Sequence, residues 1–252
     1  MEFPIEYLQM KHPFTCMVAG PTSCGKTVLM RNILENYRFL FRDIPLNPRI
    51  VWCYGQWQES YSKQLEGVKV EYNEGLPSEE EINAKPPNVL IIDDLMTELG
   101  DNANLANLFT KGSHHLKISI FFIVQNLFYK AKHIRNVSLN SHYMIIMKNP
   151  RDRSQIFALA RQLRPDNCRY VLDSYADATK QPYSYIKIDN TPQTPDQYRI
   201  QSSITPINGK LGVIIYEPPS KEQYVRTNNK RYSSTEISSQ NTKKRFKGES
   251  SD

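Results

Sequence analysis

VAGPTSCGKTVLM, Val18 to Met30, decides how the rest of the chain is read. Gly20, then four residues, then Gly25-Lys26-Thr27 fit G-x-x-x-x-G-K-[ST], a loop built to hold phosphate groups. Gly20, Pro21, Thr22, Ser23, Cys24, Gly25, Lys26 and Thr27 are therefore the candidates to cradle a nucleotide. The glycines let backbone N–H groups turn inward, Lys26 reaches the β- and γ-phosphate oxygens, and the Thr27 hydroxyl is placed to coordinate Mg2+. A helix starting there adds the positive end of its dipole. The alternative is a glycine-bearing turn with a solvated lysine. The flanks favour the phosphate loop: FTCMVA (Phe14–Ala19) reads as a strand, and Val28, Leu29, Ile33 and Leu34 follow helical spacing from about Lys26 to Phe39.

Two further elements join it. VLIID (Val89–Asp93) is a continuous apolar run, as in a parallel strand buried on both faces, and it ends on Asp93-Asp94. Asp93 is the candidate to hold Mg2+ with Thr27, directly or through water, and Asp94 the candidate to polarise a water attacking the γ-phosphate. Helix capping is the plainer role for such a pair. ISIFFIV (Ile118–Val124) is another buried strand, ending at Gln125. Strand C-termini in a parallel sheet face the ligand crevice, where an amide can sense the γ-phosphate or orient water. The candidate catalytic set is Lys26, Asp94 and Gln125.

Around these, IVWCY (Ile50–Tyr54) and VKVEY (Val68–Tyr72) read as strands, and LPSEEEINAKPPN (Leu76–Asn88) as a loop with one helical turn. Asn102–Phe109 has a helical pattern, and HYMIIM (His142–Met147) is the next strand. Helices follow over about Arg153–Leu163 and Asp166–Thr179, then a strand in YSYIKID (Tyr183–Asp189). Helices alternating with buried strands predict an α/β fold, a P-loop NTPase with a mainly parallel, doubly wound sheet. After Glu217 the composition turns to Ser, Thr, Asn, Gln and Lys, so residues 1–217 read as one ATPase domain and 218–252 as a disordered basic tail.

The formal charge of +6 is concentrated in that tail: from Arg226 onward there are seven Lys/Arg against three Asp/Glu. The body is near neutral, so the basic balance does not describe a basic globular surface. KKRFK (Lys243–Lys247) suits a nuclear-import signal or a loose DNA tether. No apolar run approaches the roughly 18 residues of a membrane span, and MEFPIEYLQMKHPF lacks a secretory pattern, so neither a membrane span nor secretion is expected. Cys16, Cys24, Cys53 and Cys168 show no zinc spacing and read as reduced thiols. Cys24, beside Lys26 and a helix N-terminus, is expected to have a lowered pKa, an inert small residue that fits the loop being the alternative. His114 and His115, being adjacent, do not aim readily at one ion.

The order of parts, phosphate loop, then IIDD, then a strand ending in Gln, resembles the FtsK/HerA class of P-loop translocases. The closer resemblance is to poxvirus-type genome-packaging ATPases, most of all those of adintovirus and Polinton/Maverick elements. It is carried by FTKGSHH (Phe109–His115), by IVQNLFYKAKHIRNVSLNSHYMIIMKNPRDRSQIFALARQL (Ile123–Leu163) and by DSYADATKQPYSYIKID (Asp173–Asp189), and extends over roughly Pro13–Glu217. The resemblance implies an ATP- and Mg2+-dependent enzyme. It implies a homo-oligomeric ring that pumps double-stranded DNA into a capsid at a portal-like vertex, in the nucleus or at a cytoplasmic assembly site, with the enzyme associated with the virion. Such sequences usually carry Arg where this one has Lys111. Lysine offers a point charge in place of a bidentate fork, so Arg135, Arg151 and Arg153 are further candidates for a finger acting across subunits. A P-loop nucleotide kinase and a slow nucleotide-binding interaction protein are the alternatives.

Overall fold

The computed structural model describes residues 4–62, 65, 67–95, 108–128, 137–205 and 212–219. Its strands are β1 (Met10–Lys11), β2 (Thr15–Ala19), β3 (Phe41–Arg42), β4 (Ile50–Tyr54), β5 (Val70–Glu74), β6 (Val89–Asp93), β7 (Ser119–Val124), β8 (Tyr143–Met147), β9 (Tyr185–Asp189), β10 (Ile200–Ser202) and β11 (Ile214–Tyr216). The helices are α1 (Lys26–Glu35), α2 (Tyr37–Leu40), α3 (Glu79–Ala84), α4 (Ser113–His115), α5 (Ser154–Leu163) and α6 (Cys168–Ala178). β1 and β3 make a small parallel pair, and the other nine strands form one sheet in the order β11-β10-β9-β8-β2-β7-β6-β4-β5.

From β5 to β8 every neighbouring pair is parallel, as the runs of apolar residues predict. Alternate side chains divide between two cores. Met17, Leu90, Ile92 and Phe122 pack on one face with Ile156 and Leu159 of α5 and Val171 of α6. Cys16, Val18, Ile91 and Phe121 pack on the other with Leu29, Met30, Ile33 and Leu34 of α1. Each fully buried side chain of this kind contributes about 1.5–3 kcal/mol, so a helix on each face is required to make use of both rows.

The other flank departs from the parallel pattern. β9 pairs antiparallel with β8, β10 with β9, and β11 with β10. Two helices, α5 and α6, lie between β8 and β9. One traverse of the sheet between strands gives a parallel neighbour, whereas two return the chain to the end it left, and an antiparallel neighbour results. The register follows: Tyr185 at the start of β9 stands opposite Met147 at the end of β8.

Several boundaries differ from the sequence reading for local reasons. The expected single helix from Lys26 stops at Glu35, because Asn36 leaves helical geometry (φ −111, ψ 19) before α2 begins. The strand expected at Val68–Tyr72 runs Val70–Glu74, in register with all five residues of β4. α3 is held by a capping box in which Ser78 accepts from the Glu81 backbone and the Glu81 carboxylate accepts from the Ser78 backbone. Of the helix expected at Asn102–Phe109 only the end is described, where Leu108–Gly112 forms a π-helical turn. The expected disordered tail lies outside the described residues from position 220 onward. Among the described residues no helix is long and apolar enough to cross a membrane.

Candidate functional site

The phosphate loop joins the C-terminal end of β2 to α1. Gly20 donates its N–H to Val124 O of β7 at 3.1 Å. A Cβ on Gly20 would lie 2.6 Å from Met147 Cβ of β8 and 2.7 Å from Cys24 Sγ, so a side chain there would force the loop off the sheet. Ser23 (φ 62) and Gly25 (φ 95) then turn the backbone, and α1 starts with no side-chain cap on its first N–H groups. Those donors remain for an anion. Lys26 Nζ donates to Gly20 O at 2.7 Å and Pro21 O at 2.9 Å, folding the ammonium over the loop it belongs to.

The carboxylates arrive from the second strand along. β7 separates β2 from β6, with Ala19 opposite Val124 and Asp93 opposite Ile123. The register places Gly20, Asp93, Asp94 and Gln125 along one edge, at the carboxyl ends of three parallel strands. Asp93 is 4% exposed and accepts the Tyr61 hydroxyl proton on Oδ2 at 2.6 Å. Burial raises its pKa above the usual carboxylate range. The Tyr61 hydrogen bond and Lys26 oppose that shift, while Asp94 adds to it. Asp94 is exposed, holds a left-handed backbone (φ 56), and accepts Gln125 Nε2 on Oδ1 at 3.2 Å.

These groups share one cleft of about 820 Å³. Thr22, Ser23, Gly25, Lys26 and Thr27 form its floor, Asp93, Asp94 and Gln125 one wall, and Tyr183, Tyr185 and Thr205 the other. Thr27 and Asp93 bring two hard oxygen donors to it, a set that suits a magnesium ion completed by substrate oxygens and water. The arrangement can receive a polyphosphate on the loop, with carboxylates at one end.

The finger candidates are not gathered here. Arg151 and Arg153 are exposed just before α5 and do not line the cleft, and the Arg151 backbone N–H donates to Asn149 Oδ1 at 3.1 Å. Lys111 sits on the π-helical turn with its side chain outside the described residues, as all of Arg135 is. The expectation of an acidified Cys24 is corrected. The thiol is half-buried, and desolvation raises its pKa more than Lys26 and the neighbouring backbone N–H groups lower it.

Sequence reasoning missed Tyr61, Gln58 and the whole Tyr183–Tyr185–Thr205 wall. For Tyr61 no spacing signal existed, since it reaches Asp93 from a 3-10 turn between β4 and β5. For the wall the signal was the pair of helices before β9, which fixes the direction of that strand.

No protein-family model matches the chain, and no curated protein matches it. Among solved structures, the chain is similar to the genome packaging NTPase B204 from Sulfolobus turreted icosahedral virus 2 in complex with sulfate. That match has TM-score 0.49 and 11% identity, and covers 82% of this chain and 98% of that one. It is also similar to B204, the DNA-packaging ATPase from Sulfolobus turreted icosahedral virus, with TM-score 0.48, 12% identity, and coverage of 83% and 100%. A further likeness is to the flagellar accessory protein FlaH from Methanocaldococcus jannaschii, with TM-score 0.39, 14% identity, and coverage of 54% and 71%.

Proposed function

We propose that this chain is an ATPase of the FtsK/HerA class whose turnover moves double-stranded DNA into a capsid, akin to the packaging enzymes of adintoviruses and Polinton/Maverick elements. One observation supports the ATPase part above all others: the phosphate loop, both carboxylates and Gln125 open into the same cleft, from neighbouring parallel strands. In this reading the loop N–H groups and Lys26 hold the β- and γ-phosphates. Lys26 exchanges the Gly20 and Pro21 carbonyls for phosphate oxygens when substrate enters. Thr27 and Asp93 would hold Mg2+, which when bound would supply positive charge against the developing charge of the phosphates. Asp94 accepts the proton of the attacking water, and Gln125, which already bonds Asp94, reports the γ-phosphate to it. Catalysis is then positioning and charge stabilisation, with little covalent chemistry asked of the protein.

The DNA part rests on the sequence resemblance over Ile123–Leu163 and its flanks, and is compatible with the charge distribution. A near-neutral body can still gather a few basic residues per subunit into one channel when copies form a ring. The test is the ATP hydrolysis rate of the full chain with and without long duplex DNA, alongside its mass in solution. An oligomer stimulated by DNA, with binding that weakens steeply as salt rises, is expected. A monomer that transfers phosphate to a nucleotide and ignores DNA would make it a kinase. Slow turnover indifferent to DNA would make it a nucleotide-gated interaction protein.

A further inference from the structure

Opposite the carboxylate wall stands a side chain with no part in the roles above. Tyr183 belongs to the turn Gln181-Pro182-Tyr183-Ser184 that precedes β9, and its backbone is left-handed, φ 60. Proline second and a positive φ third is the pattern of a turn that normally places glycine or asparagine there. A tyrosine pays in backbone strain for that position, and burial does not repay it, since Tyr183 is 69% exposed.

The surroundings hold this turn in one place. Ser184 Oγ donates to Gln181 O at 2.5 Å, the Lys148 backbone N–H to Ser184 O at 2.9 Å, and Lys148 Nζ to Lys180 O at 2.8 Å. The ring lies against the phosphate loop: a Cβ built on Gly25 would be 3.2 Å from Tyr183 Cδ1 and 3.4 Å from its Cβ. Gly25 is glycine for its φ of 95, and the ring packs close beside it. The turn places an aromatic side chain at the edge of the cleft and leaves most of it open.

The cleft also has a direction. β7 and β6 bring Asp93, Asp94 and Gln125 to one side of the loop, while β8 and β9 bring Tyr183 and Tyr185 to the other, with Thr205 after β10. A nucleotide lying across the loop with its terminal phosphate toward the carboxylates has its nucleoside end toward Tyr183. We propose that Tyr183 is the platform on which the nucleobase stacks, so that this cleft selects a nucleoside triphosphate over a bare polyphosphate. This assignment rests on the nucleotide-binding reading above and extends it to the other half of the ligand. One ring face recognises any flat base, so the platform favours purines for their larger area without telling adenine from guanine.

The test is calorimetric titration of the full chain with ATP and, separately, with inorganic tripolyphosphate, both with magnesium, and a thermal melt of every variant. Wild type is expected to bind ATP more tightly than tripolyphosphate, and Tyr183→Phe to match it. Tyr183→Ala and Tyr183→Gly should each lose about tenfold in ATP affinity, within the range of base–aromatic stacking, while tripolyphosphate binding stays unchanged. Glycine relaxes the left-handed backbone, so Tyr183→Gly should melt at or above the temperature of Tyr183→Ala while binding ATP no better, which a merely structural tyrosine would not produce. Equal losses for both ligands would show that the ring only buttresses the loop, and an Ala variant with wild-type ATP affinity would remove the platform outright. A wild-type chain that binds tripolyphosphate without preferring ATP overturns the platform and keeps the phosphate site. One that binds neither overturns the nucleotide reading itself.

Discussion

The two flanks of β2 are built on different rules. On the β7–β6–β4 side the strands are apolar between their ends, with buried Ser119 opening β7, and the candidate catalytic residues stand at the last position or just past it: Asp93, Asp94, Gln125. On the β9–β10 side polar groups are buried within the strands: Lys187 and Gln201 in mid-strand and Ser202 at the end of β10 are all almost wholly enclosed. Lys187 Nζ donates to Gln201 Oε1 at 3.0 Å and Leu8 O at 3.3 Å, and Gln201 Nε2 donates to Tyr7 O at 2.8 Å. The first flank is held by burial with the candidate site at its rim. The second is held partly by a polar network that also ties down the N-terminal segment. If that division is right, substitutions at the rim of the first flank should cost function and spare stability, and substitutions inside the second should do the reverse.

The largest expected effects are at the rim. Lys26→Ala should abolish nucleotide binding, whereas Asp94→Asn should keep binding and lose about 10²–10⁴-fold in turnover, the range for a general base. Binding and single-turnover measurements separate the two, because the proposed roles have Lys26 meet phosphate in the ground state and Asp94 act on water in the transition state. Equal loss of ATP affinity in both variants would contradict these roles.

Asp93→Asn sharpens the contrast further. Because burial raises the Asp93 pKa, the native state holds the extra proton between the unfolded value near ~3.9 and its own higher value, and stability falls as pH rises across that window. Asparagine keeps an oxygen for the Tyr61 hydroxyl and carries no charge. The variant should therefore lose turnover as fully as Asp94→Asn yet melt higher at neutral pH, with a flatter pH dependence. A lower melting temperature would mean that the buried carboxylate stabilises the fold.

The second flank is tested at Lys187, whose pKa burial lowers to about 8 against the pull of Asp189. Between that value and the unfolded lysine value near ~10.4, the unfolded chain binds the extra proton, so stability rises with pH from about 8 upward. Lys187→Met should erase that rise, read by urea unfolding at pH 7.5 and 10, and leave ATP turnover within about twofold. The smaller net effect follows from what the substitution trades: a buried charge is removed, but Gln201 Oε1 loses its donor.

The same contrast explains what could be read from the sequence. Parallel strands buried on both faces announce themselves as apolar runs, so β2, β6, β7 and β8 were legible to within a residue, and the residues at their ends with them. β10 and β11 are three residues each, too short to stand out as strands, and β10 carries Gln201 at its centre. β9 was legible as a strand, yet its direction depends on the number of intervening helices, not on its own residues. Assumed parallel, Tyr183 would sit at the far end of the sheet; antiparallel, it faces the phosphate loop. Tyr61 was illegible for another reason, since its hydrogen bond to Asp93 spans 32 positions with no periodicity to mark it.

The smallest expected effect concerns Cys24, inside the phosphate loop. A helix N-terminus and a nearby ammonium argue for a reactive thiolate, and sequence alone supplies only those two terms. The folded loop adds a third. Cys24 Sγ is tucked toward Gly20, close enough to clash with any Cβ there, and this desolvation outweighs the favourable charges, so its pKa lies above the ordinary thiol value. At neutral pH the thiol is mostly protonated, and alkylation by iodoacetamide should run slower than for an unstructured peptide thiol, accelerating as pH rises. Cys24→Ala should change ATP turnover by less than about twofold, because the proposed phosphate contacts of the loop are its backbone N–H groups and Lys26. Mass spectrometry of the wild-type chain after timed alkylation gives the rate directly. Rapid modification of Cys24 at pH 7 would show that the field of the loop exceeds the cost of burial, and that the loop opens its thiol to solvent on the timescale of the reaction.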